Sequence, residues 1–151
     1  MAIRAAKLSR LQVAFPSCSA EDLSRDLTRD FLREGWLWKS GPSVSDTPRR
    51  RWFSLDHRRL MYLEHPLDPY PKGEIFIGNQ GDGYSVSEGV PAGVKVPGLG
   101  FSLRTPQRLF ALASPSEEDR TEWIAVLRSV MERPLSLQDH SGQYHWDTGL
   151  H

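Results

Sequence analysis

Cysteine is almost absent from this sequence, and its scarcity excludes two kinds of site. Cys18 is the only cysteine among 151 residues, so the chain can form neither an internal disulfide nor a cysteine-rich zinc site. A reduced, cytoplasmic setting is the simplest expectation. Long apolar runs are also missing: none approaches the roughly 20 residues of a membrane span. The start of the sequence lacks the apolar stretch of a signal peptide, so we expect any membrane contact from outside the bilayer.

A surplus of charge of either sign is absent too. The chain has 19 basic and 19 acidic residues, so net charge does not predict nucleic-acid binding, and a basic site can arise only by local clustering. One cluster lies in the segment 49–55, where three arginines run into an aromatic and aliphatic stretch. Because strand side chains alternate, Arg49 and Arg51 share a face with Phe53 and Leu55. The apolar end of this face belongs in a core, and the basic end at an open rim that is either solvated or able to bind an anion.

Short alternating segments dominate the middle of the chain, and turn residues separate them. Two loops are rich in glycine, proline and serine, at 40–48 and 88–100, and we expect the second to be mobile. The alternation predicts seven strands, at 34–39, 49–55, 60–63, 73–78, 84–87, 100–105 and 108–113.

Helices are predicted on both sides of the strands. After them, Ser114 as N-cap, Pro115 at the first position and Glu117 completing a capping box predict a helix over 115–132 with Trp123 in its apolar stripe. Before them, two short amphipathic helices are predicted. Their bounds and apolar stripes are 2–15 with Leu8, Leu11 and Phe15, and 20–32 with Leu23, Leu27 and Phe31. A short amphipathic helix needs a partner for its stripe, either the main domain or a domain upstream.

Basic residues are predicted to gather at one end of the strands. If the first two strands form a hairpin, Lys39 and Arg49 flank the same loop, and Arg51 lies one step further along that face. Tyr62 returns to this end on the third strand, and Lys72 opens the fourth. Other arginines are expected elsewhere: Arg50 and Arg58 at the nearby surface, and Arg108 away from the hairpin.

Seven strands followed by one helix with a central tryptophan resemble a pleckstrin homology (PH) domain over 33–133. The resemblance implies a mainly β fold, a seven-stranded, partly open barrel of two orthogonal antiparallel sheets capped by a C-terminal α-helix. The open end opposite the helix would be the ligand mouth. The residues that carry the resemblance are Gly35-Trp36-Leu37 with Lys39, then Arg49, Arg51, Trp52 and Phe53, then Tyr62, and Trp123 in the final helix.

A closer resemblance is to the second PH domain of the centaurin-alpha family, Arf GTPase-activating proteins with dual PH domains. It implies that the helical linker 1–32 includes the end of a preceding PH domain. The polar composition of the last residues separately predicts a flexible tail over 134–151. The family's catalytic module is a cysteine zinc finger, which a single cysteine cannot form, so no enzymatic activity is expected of this chain. The supporting segments are Arg58-Arg59-Leu60-Met61-Tyr62, Pro66-Leu67-Asp68 and Gly73-Glu74-Ile75-Phe76-Ile77-Gly78.

The family resemblance also implies a ligand. Many PH domains hold inositol polyphosphate head groups, and the matching positions here are Lys39, Arg49, Arg51, Tyr62 and Lys72. Arginine can meet a phosphate with two parallel hydrogen bonds, lysine adds a point charge, and tyrosine a neutral donor. The resemblance thus implies a monomeric module for phosphatidylinositol 3,4,5-trisphosphate and/or 4,5-bisphosphate, recruited peripherally to the plasma membrane.

This prediction includes no cofactor, no metal and no nucleic-acid partner. The 40–48 loop contains no lysine or arginine and carries Asp46, which favours a modest affinity. The alternative is a protein-interaction module on the same fold, whose basic mouth meets an acidic peptide or only water.

Overall fold

Alternating apolar side chains fold the middle of the chain into antiparallel strands, and one amphipathic helix follows them. The computed structural model describes residues 31–136. A single 3-10 turn, Gln80–Asp82, precedes the fifth strand. The strands are β1 Phe31–Lys39, β2 Arg49–Asp56, β3 Arg59–Leu63, β4 Gly73–Phe76, β5 Ser85–Glu88, β6 Leu99–Arg104 and β7 Leu109–Ser114, and the helix is α1, Glu117–Glu132.

The strands are hydrogen-bonded in the order β4-β3-β2-β1-β7-β6-β5. β1 pairs with β2 along its whole length but with β7 only through Trp38 and Lys39. The end of β1 is therefore the junction between the two halves of the sheet. The edge strands β4 and β5 of the described sheet do not pair with each other, which leaves it partly open. The predicted fold class is confirmed.

The core lies between the inward faces of the two halves and α1. Phe53 and Leu55 are fully buried, as their alternation predicts, and so are Trp123 and Leu127 of α1. The helix packs chiefly on β5, β6 and β7. Burying each such large apolar side chain stabilises the fold by about 1.5–3 kcal/mol.

The start of α1 differs from the prediction by two residues. Ser114 is the last residue of β7 and pairs with Leu99, which holds it in the extended conformation. The N-cap is Ser116 instead, and its hydroxyl accepts a hydrogen bond from the Asp119 amide at 3.1 Å. The predicted capping box of Ser114 and Glu117 is thus wrong, because the strand ladder continues past the residue that the local pattern selected.

The first and fourth strands also differ from their predicted bounds. β1 begins at Phe31, which pairs with Asp56, so the predicted helix over 20–32 is wrong for its last two residues. The rest of that helix, the predicted helix over 2–15 and the tail from residue 137 lie outside the described residues. β4 ends at Phe76 rather than at Gly78. The remaining strand bounds agree within one residue.

Arg58 is not the surface cation that the sequence suggested. It lies in the turn between β2 and β3, only 2% exposed. One guanidinium nitrogen donates to the carbonyl of Ile77 at 3.0 Å, and another to that of Arg133 at 2.6 Å. Carbonyls at the end of a helix need such donors. Arg58 therefore fastens the end of α1 to the sheet, at the end of the β2–β3 hairpin opposite Tyr62.

Candidate anion-binding site

A cavity of about 560 Å³ opens where the β1–β2 loop meets the ends of β1 to β3. The loop contributes serine and threonine hydroxyls and the carboxylate of Asp46. All five residues singled out from the sequence line this one cavity: Lys39, Arg49, Arg51, Tyr62 and Lys72.

Strand pairing brings these residues together. Lys39 is paired directly with Arg49, and Leu37 with Arg51, in the β1–β2 ladder. The next ladder sets Tyr62 beside Phe53, one step further along the same face as Arg51. The Lys72 amide donates to the Tyr62 carbonyl at 2.8 Å, which fixes the start of β4 at the cavity. Strand pairing or a backbone hydrogen bond therefore positions each of these residues at the cavity.

Lys39 is a partly buried cation in the wall of the cavity. Its Nζ lies 5.0 Å from the ring centroid of Tyr62 and 5.8 Å from that of Phe110. Partial burial, followed by the charges of Arg108 and Arg51, lowers the pKa of Lys39 from 10.5 to about 8. Its ammonium is therefore poorly solvated and repelled by its neighbours, and a bound anion would relieve both effects.

Arg108 belongs beside this site, contrary to the expectation that it lies apart. Its Cζ is 4.4 Å from the centroid of the Phe110 ring that Lys39 also faces. β7 reaches the site because Lys39 pairs with Leu112. No local sequence signal shows this pairing, which joins residues far apart in the chain.

Tyr62 is a buried neutral donor at the cavity wall. Burial raises the pKa of its hydroxyl, and the charges of Arg108 and Arg51 oppose that rise. Its ring packs on Phe53 with the centroids 5.7 Å apart. Gly73, the first residue of β4, pairs with Tyr62 of β3. A Cβ added to Gly73 would overlap the Tyr62 hydroxyl. The glycine therefore makes room for the ring.

Two carboxylates border the cavity, and the first, Glu64, was not among the residues predicted there. Glu64 lies 3.4 Å from the Nζ of Lys72, in a pair that is half exposed on both sides. Such surface pairs contribute little, so Lys72 can exchange Glu64 for another anion. Asp46 accepts a hydrogen bond from the Ser43 amide at 2.9 Å, while its own amide donates to the Ser43 carbonyl at 3.0 Å. Asp46 thus stabilises the conformation of the loop. The cavity lining remains net positive, because it holds one carboxylate and four cations, Lys39, Arg49, Arg51 and Lys72.

Arg50 points away from the cavity. Its Cζ stacks 4.3 Å from the centroid of Trp36, and Trp36 meets Trp52 edge-on at 5.4 Å. Arg50 is exposed as predicted, but on the opposite face from Arg49 and Arg51.

The described part of the chain contains neither a candidate metal site nor a candidate membrane-spanning helix. Between residues 31 and 136, no cluster of three or more histidine, cysteine or acidic side chains is placed to hold a metal ion. No helix in that range is long and apolar enough to cross a bilayer.

Comparisons with known proteins agree with the fold. Residues 31–132 match the family described as PH domain. The human Arf-GAP with dual PH domain-containing protein 2 is 40% identical over 139 residues, which cover 89% of this chain and 36% of that protein; its rat counterpart is 39% identical. Human Cytohesin-3 is 29% identical over 75% of this chain. The chain spans about a third of the length of these relatives.

Solved structures show the same fold at lower identity. The PH domain of human KIAA0053 protein has a TM-score of 0.55 at 22% identity, covering 72% of this chain and 94% of that one. The C-terminal PH domain of pleckstrin, in complex with D-myo-Ins(1,2,3,4,5)P5, has a TM-score of 0.53 at 23% identity, covering 68% and 99%. The resemblance to dual-PH Arf GTPase-activating proteins that the sequence suggested is confirmed.

Proposed function

The chain belongs to the PH domain family, and from that premise we propose that its basic cavity binds the phosphorylated inositol head group of a phosphoinositide. The observation that supports this most is convergence: Lys39, Arg49, Arg51, Tyr62 and Lys72 all line one cavity. Four cations facing one space match the dense charge of clustered phosphate groups. Arginine can bind a phosphate group with two parallel hydrogen bonds.

The five residues take different roles in this proposal. Arg51 and Arg49 carry the planar guanidinium groups that orient a phosphate. Lys39 contributes a partly desolvated charge, because its ammonium lies against the rings of Tyr62 and Phe110. The Tyr62 hydroxyl donates a hydrogen bond without adding charge. Lys72, at the rim, gives up its contact with Glu64 and contacts the ligand instead.

Binding of this kind would recruit the parent protein peripherally to the plasma membrane. The lipids that the proposal names are phosphatidylinositol 3,4,5-trisphosphate and 4,5-bisphosphate. The similarity to Arf-GAPs with dual PH domains supports a parent that regulates Arf GTPases, and the module itself would act as a monomer. PH domains are in general non-catalytic, so the proposal leaves GTPase activation to parts of the parent outside this chain.

An acidic peptide is the second candidate ligand. The contact between Glu64 and Lys72 favours it, because the rim already accepts a carboxylate. The head group stays first because carboxylates spaced along a peptide cannot place as much charge inside one cavity.

Isothermal titration of the chain with soluble inositol tetrakisphosphate tests the proposal. Inorganic phosphate and a glutamate-rich peptide serve as comparison ligands. We expect saturable binding of the inositol phosphate at least tenfold tighter than that of either comparison. Tighter binding of the peptide would favour the second candidate, and no binding of the inositol phosphate would refute the first.

A further inference from the structure

Exposed apolar side chains gather at the end of the sheet where the cavity opens. Between residues 31 and 136, the large hydrophobic side chains that are exposed are Leu32, Val44, Leu67 and Tyr70. Val44 lies in the β1–β2 loop, and Leu67 and Tyr70 lie in the β3–β4 loop. Both loops leave the sheet at the cavity, whereas Leu32 lies at the opposite end of β1. Single exposed apolar residues are ordinary, but three of these four share one end of the molecule.

The β3–β4 loop, residues 64–72, is closed by a backbone hydrogen bond at the cavity. Lys72, which lines the cavity, donates its amide to the Tyr62 carbonyl at 2.8 Å. Beyond this closure, Leu67 is 62% exposed and Tyr70 is 67% exposed. A lipid whose head group enters the cavity would therefore bring both side chains to the surface of the bilayer.

The backbone of this loop suits a poorly hydrated environment. An amide hydrogen without a partner is costly in lipid. Pro66, Pro69 and Pro71 have no amide hydrogen. The His65 amide donates to the Asp68 carboxylate at 3.0 Å, and the Asp68 amide donates to the His65 carbonyl at 3.1 Å. The loop therefore has few amides that would lose water without gaining a partner.

We propose that the β3–β4 loop is a membrane anchor, with Leu67 and Tyr70 inserted between the lipid head groups of the bilayer that the cavity contacts. Leucine gains from transfer out of water. Tyrosine suits the interface because its ring is apolar while its hydroxyl can stay hydrated. The anchor rests on the proposed function, since a head group in the cavity brings the loop to the bilayer. It adds a contact that a soluble head group cannot make.

The charges at the mouth of the cavity favour a bilayer as the partner. Arg49 and Lys72 line the cavity and are exposed. They lie at the same end of the sheet as the apolar side chains of the two loops. An anionic leaflet supplies negative charge at its surface and apolar chains beneath it. One bilayer therefore meets both the basic mouth and the apolar loop.

Leu67→Ser combined with Tyr70→Ser tests the anchor in the full chain. We expect the affinity for vesicles containing phosphatidylinositol 3,4,5-trisphosphate to fall about tenfold, because two apolar side chains lose their burial. Calorimetric binding of soluble inositol tetrakisphosphate should stay unchanged. Leu32→Ser is the matched control, because Leu32 is 40% exposed near the start of β1, about 23 Å along the strand from Lys39. It should change neither affinity.

The two measurements separate the anchor from the proposed function. Equal vesicle affinity in the double variant and the parent would overturn the anchor and leave head-group binding standing. Matching losses of both affinities would overturn it too, since the loop would then support the cavity instead of inserting. If the parent did not bind soluble inositol tetrakisphosphate, the proposed function would be refuted. The vesicle comparison would still decide the anchor, and a parent that bound no vesicles would overturn it.

A fluorescent label measures the depth of the loop directly. In a chain carrying Cys18→Ser, a nitrobenzoxadiazole group on Leu67→Cys should be quenched by nitroxides on the lipid acyl chains once the protein is bound to the vesicles. The same label on Leu32→Cys should not be quenched. Equal quenching at the two positions, or none at either, would contradict insertion of the loop.

Discussion

Lys39 and Arg108 face the same aromatic ring, with Nζ 5.8 Å and Cζ 4.4 Å from the centroid of Phe110. Two cations on one ring repel each other, and that repulsion adds to the burial that lowers the pKa of Lys39 to about 8. The site is thus arranged for a ligand of opposite charge before any ligand is present. Such preorganisation reduces the cost of binding but makes the empty fold less stable.

The lowered pKa of Lys39 makes the stability of the fold depend on pH. In the unfolded chain Lys39 has a pKa near 10.5, against about 8 when folded. Between these values the unfolded chain binds more protons, so this residue makes the fold more stable as pH rises from 8 to 10.5. Lys39→Met should therefore be more stable than the parent below pH 8, by about 1–2 kcal/mol after allowing for solvent screening.

Urea denaturation from pH 6 to 10 measures this difference. The advantage of Lys39→Met should shrink as pH rises through 8 and vanish near 10.5. Lys95→Met, at an exposed loop position, should show no such pH-dependent difference from the parent. A constant difference for Lys39→Met across the range would contradict the account of its charge.

Gly73→Ala should disturb the site without changing any charge. The added methyl group would overlap the Tyr62 hydroxyl, so the ring must move or β4 must shift, at a cost of about 1–3 kcal/mol. Gly35→Ala is the control, because its Cβ would meet Trp123 at an ordinary 3.8 Å. We expect thermal unfolding to show a large loss for the first variant only, together with weaker inositol phosphate binding. Equal melting temperatures would refute the proposed fit between Gly73 and Tyr62.

Glu64→Gln should strengthen head-group binding. Removing the carboxylate frees Lys72 from a half-exposed pair, worth about 0.2–1 kcal/mol, which corresponds to roughly a 1.4- to fivefold gain in affinity. Glu132→Gln, at the end of α1, makes the same charge change away from the cavity. Titration calorimetry should show the gain for Glu64→Gln alone, and an equal gain for both would indicate net charge rather than a contact.

Ser116→Ala should destabilise the domain by about 1 kcal/mol, because it removes the acceptor for the Asp119 amide. Ser129→Ala, at an exposed position within α1, should change the free energy of unfolding by only a few tenths of a kcal/mol. Urea denaturation of both variants compares them directly. Indistinguishable midpoints would mean that Ser116 does not cap the helix.

The sequence predicted features that depend on neighbours in the chain. Alternation located all seven strands, and a hairpin and its next strand were enough to bring Lys39, Arg51 and Tyr62 together. Side-chain direction on those strands follows from the period of two, so the buried Phe53 and the outward Arg50 were also predictable.

Features set by distant contacts were not predictable in this way. Arg108 reaches the site only because β7 pairs with the end of β1. Arg58 is buried because carbonyls near Arg133 need a donor, and nothing around Arg58 in the sequence indicates that. Ser114 carried a good capping pattern, but pairing with Leu99 extended the strand through it. Arg108 and Arg58 are placed by tertiary contacts that leave no local signal, and at Ser114 a tertiary contact overrode one.

Comparing Arg51→Ala with Arg59→Ala tests the central claim most directly. Both remove one arginine, but Arg51 lines the cavity, whereas Arg59 is exposed at the opposite end of the β2–β3 hairpin. Arg108 cannot serve as the control, since it lies beside Lys39. Losing a charge-assisted contact costs about 1.5–3 kcal/mol, or roughly ten- to a hundredfold in affinity.

The measurement is co-sedimentation with liposomes containing phosphatidylinositol 3,4,5-trisphosphate, after circular dichroism has shown both variants to be folded. The account predicts near-complete loss of binding for Arg51→Ala and near-parental binding for Arg59→Ala. Equal losses in the two variants would mean that diffuse surface charge holds the domain on the membrane, and would contradict a defined head-group site.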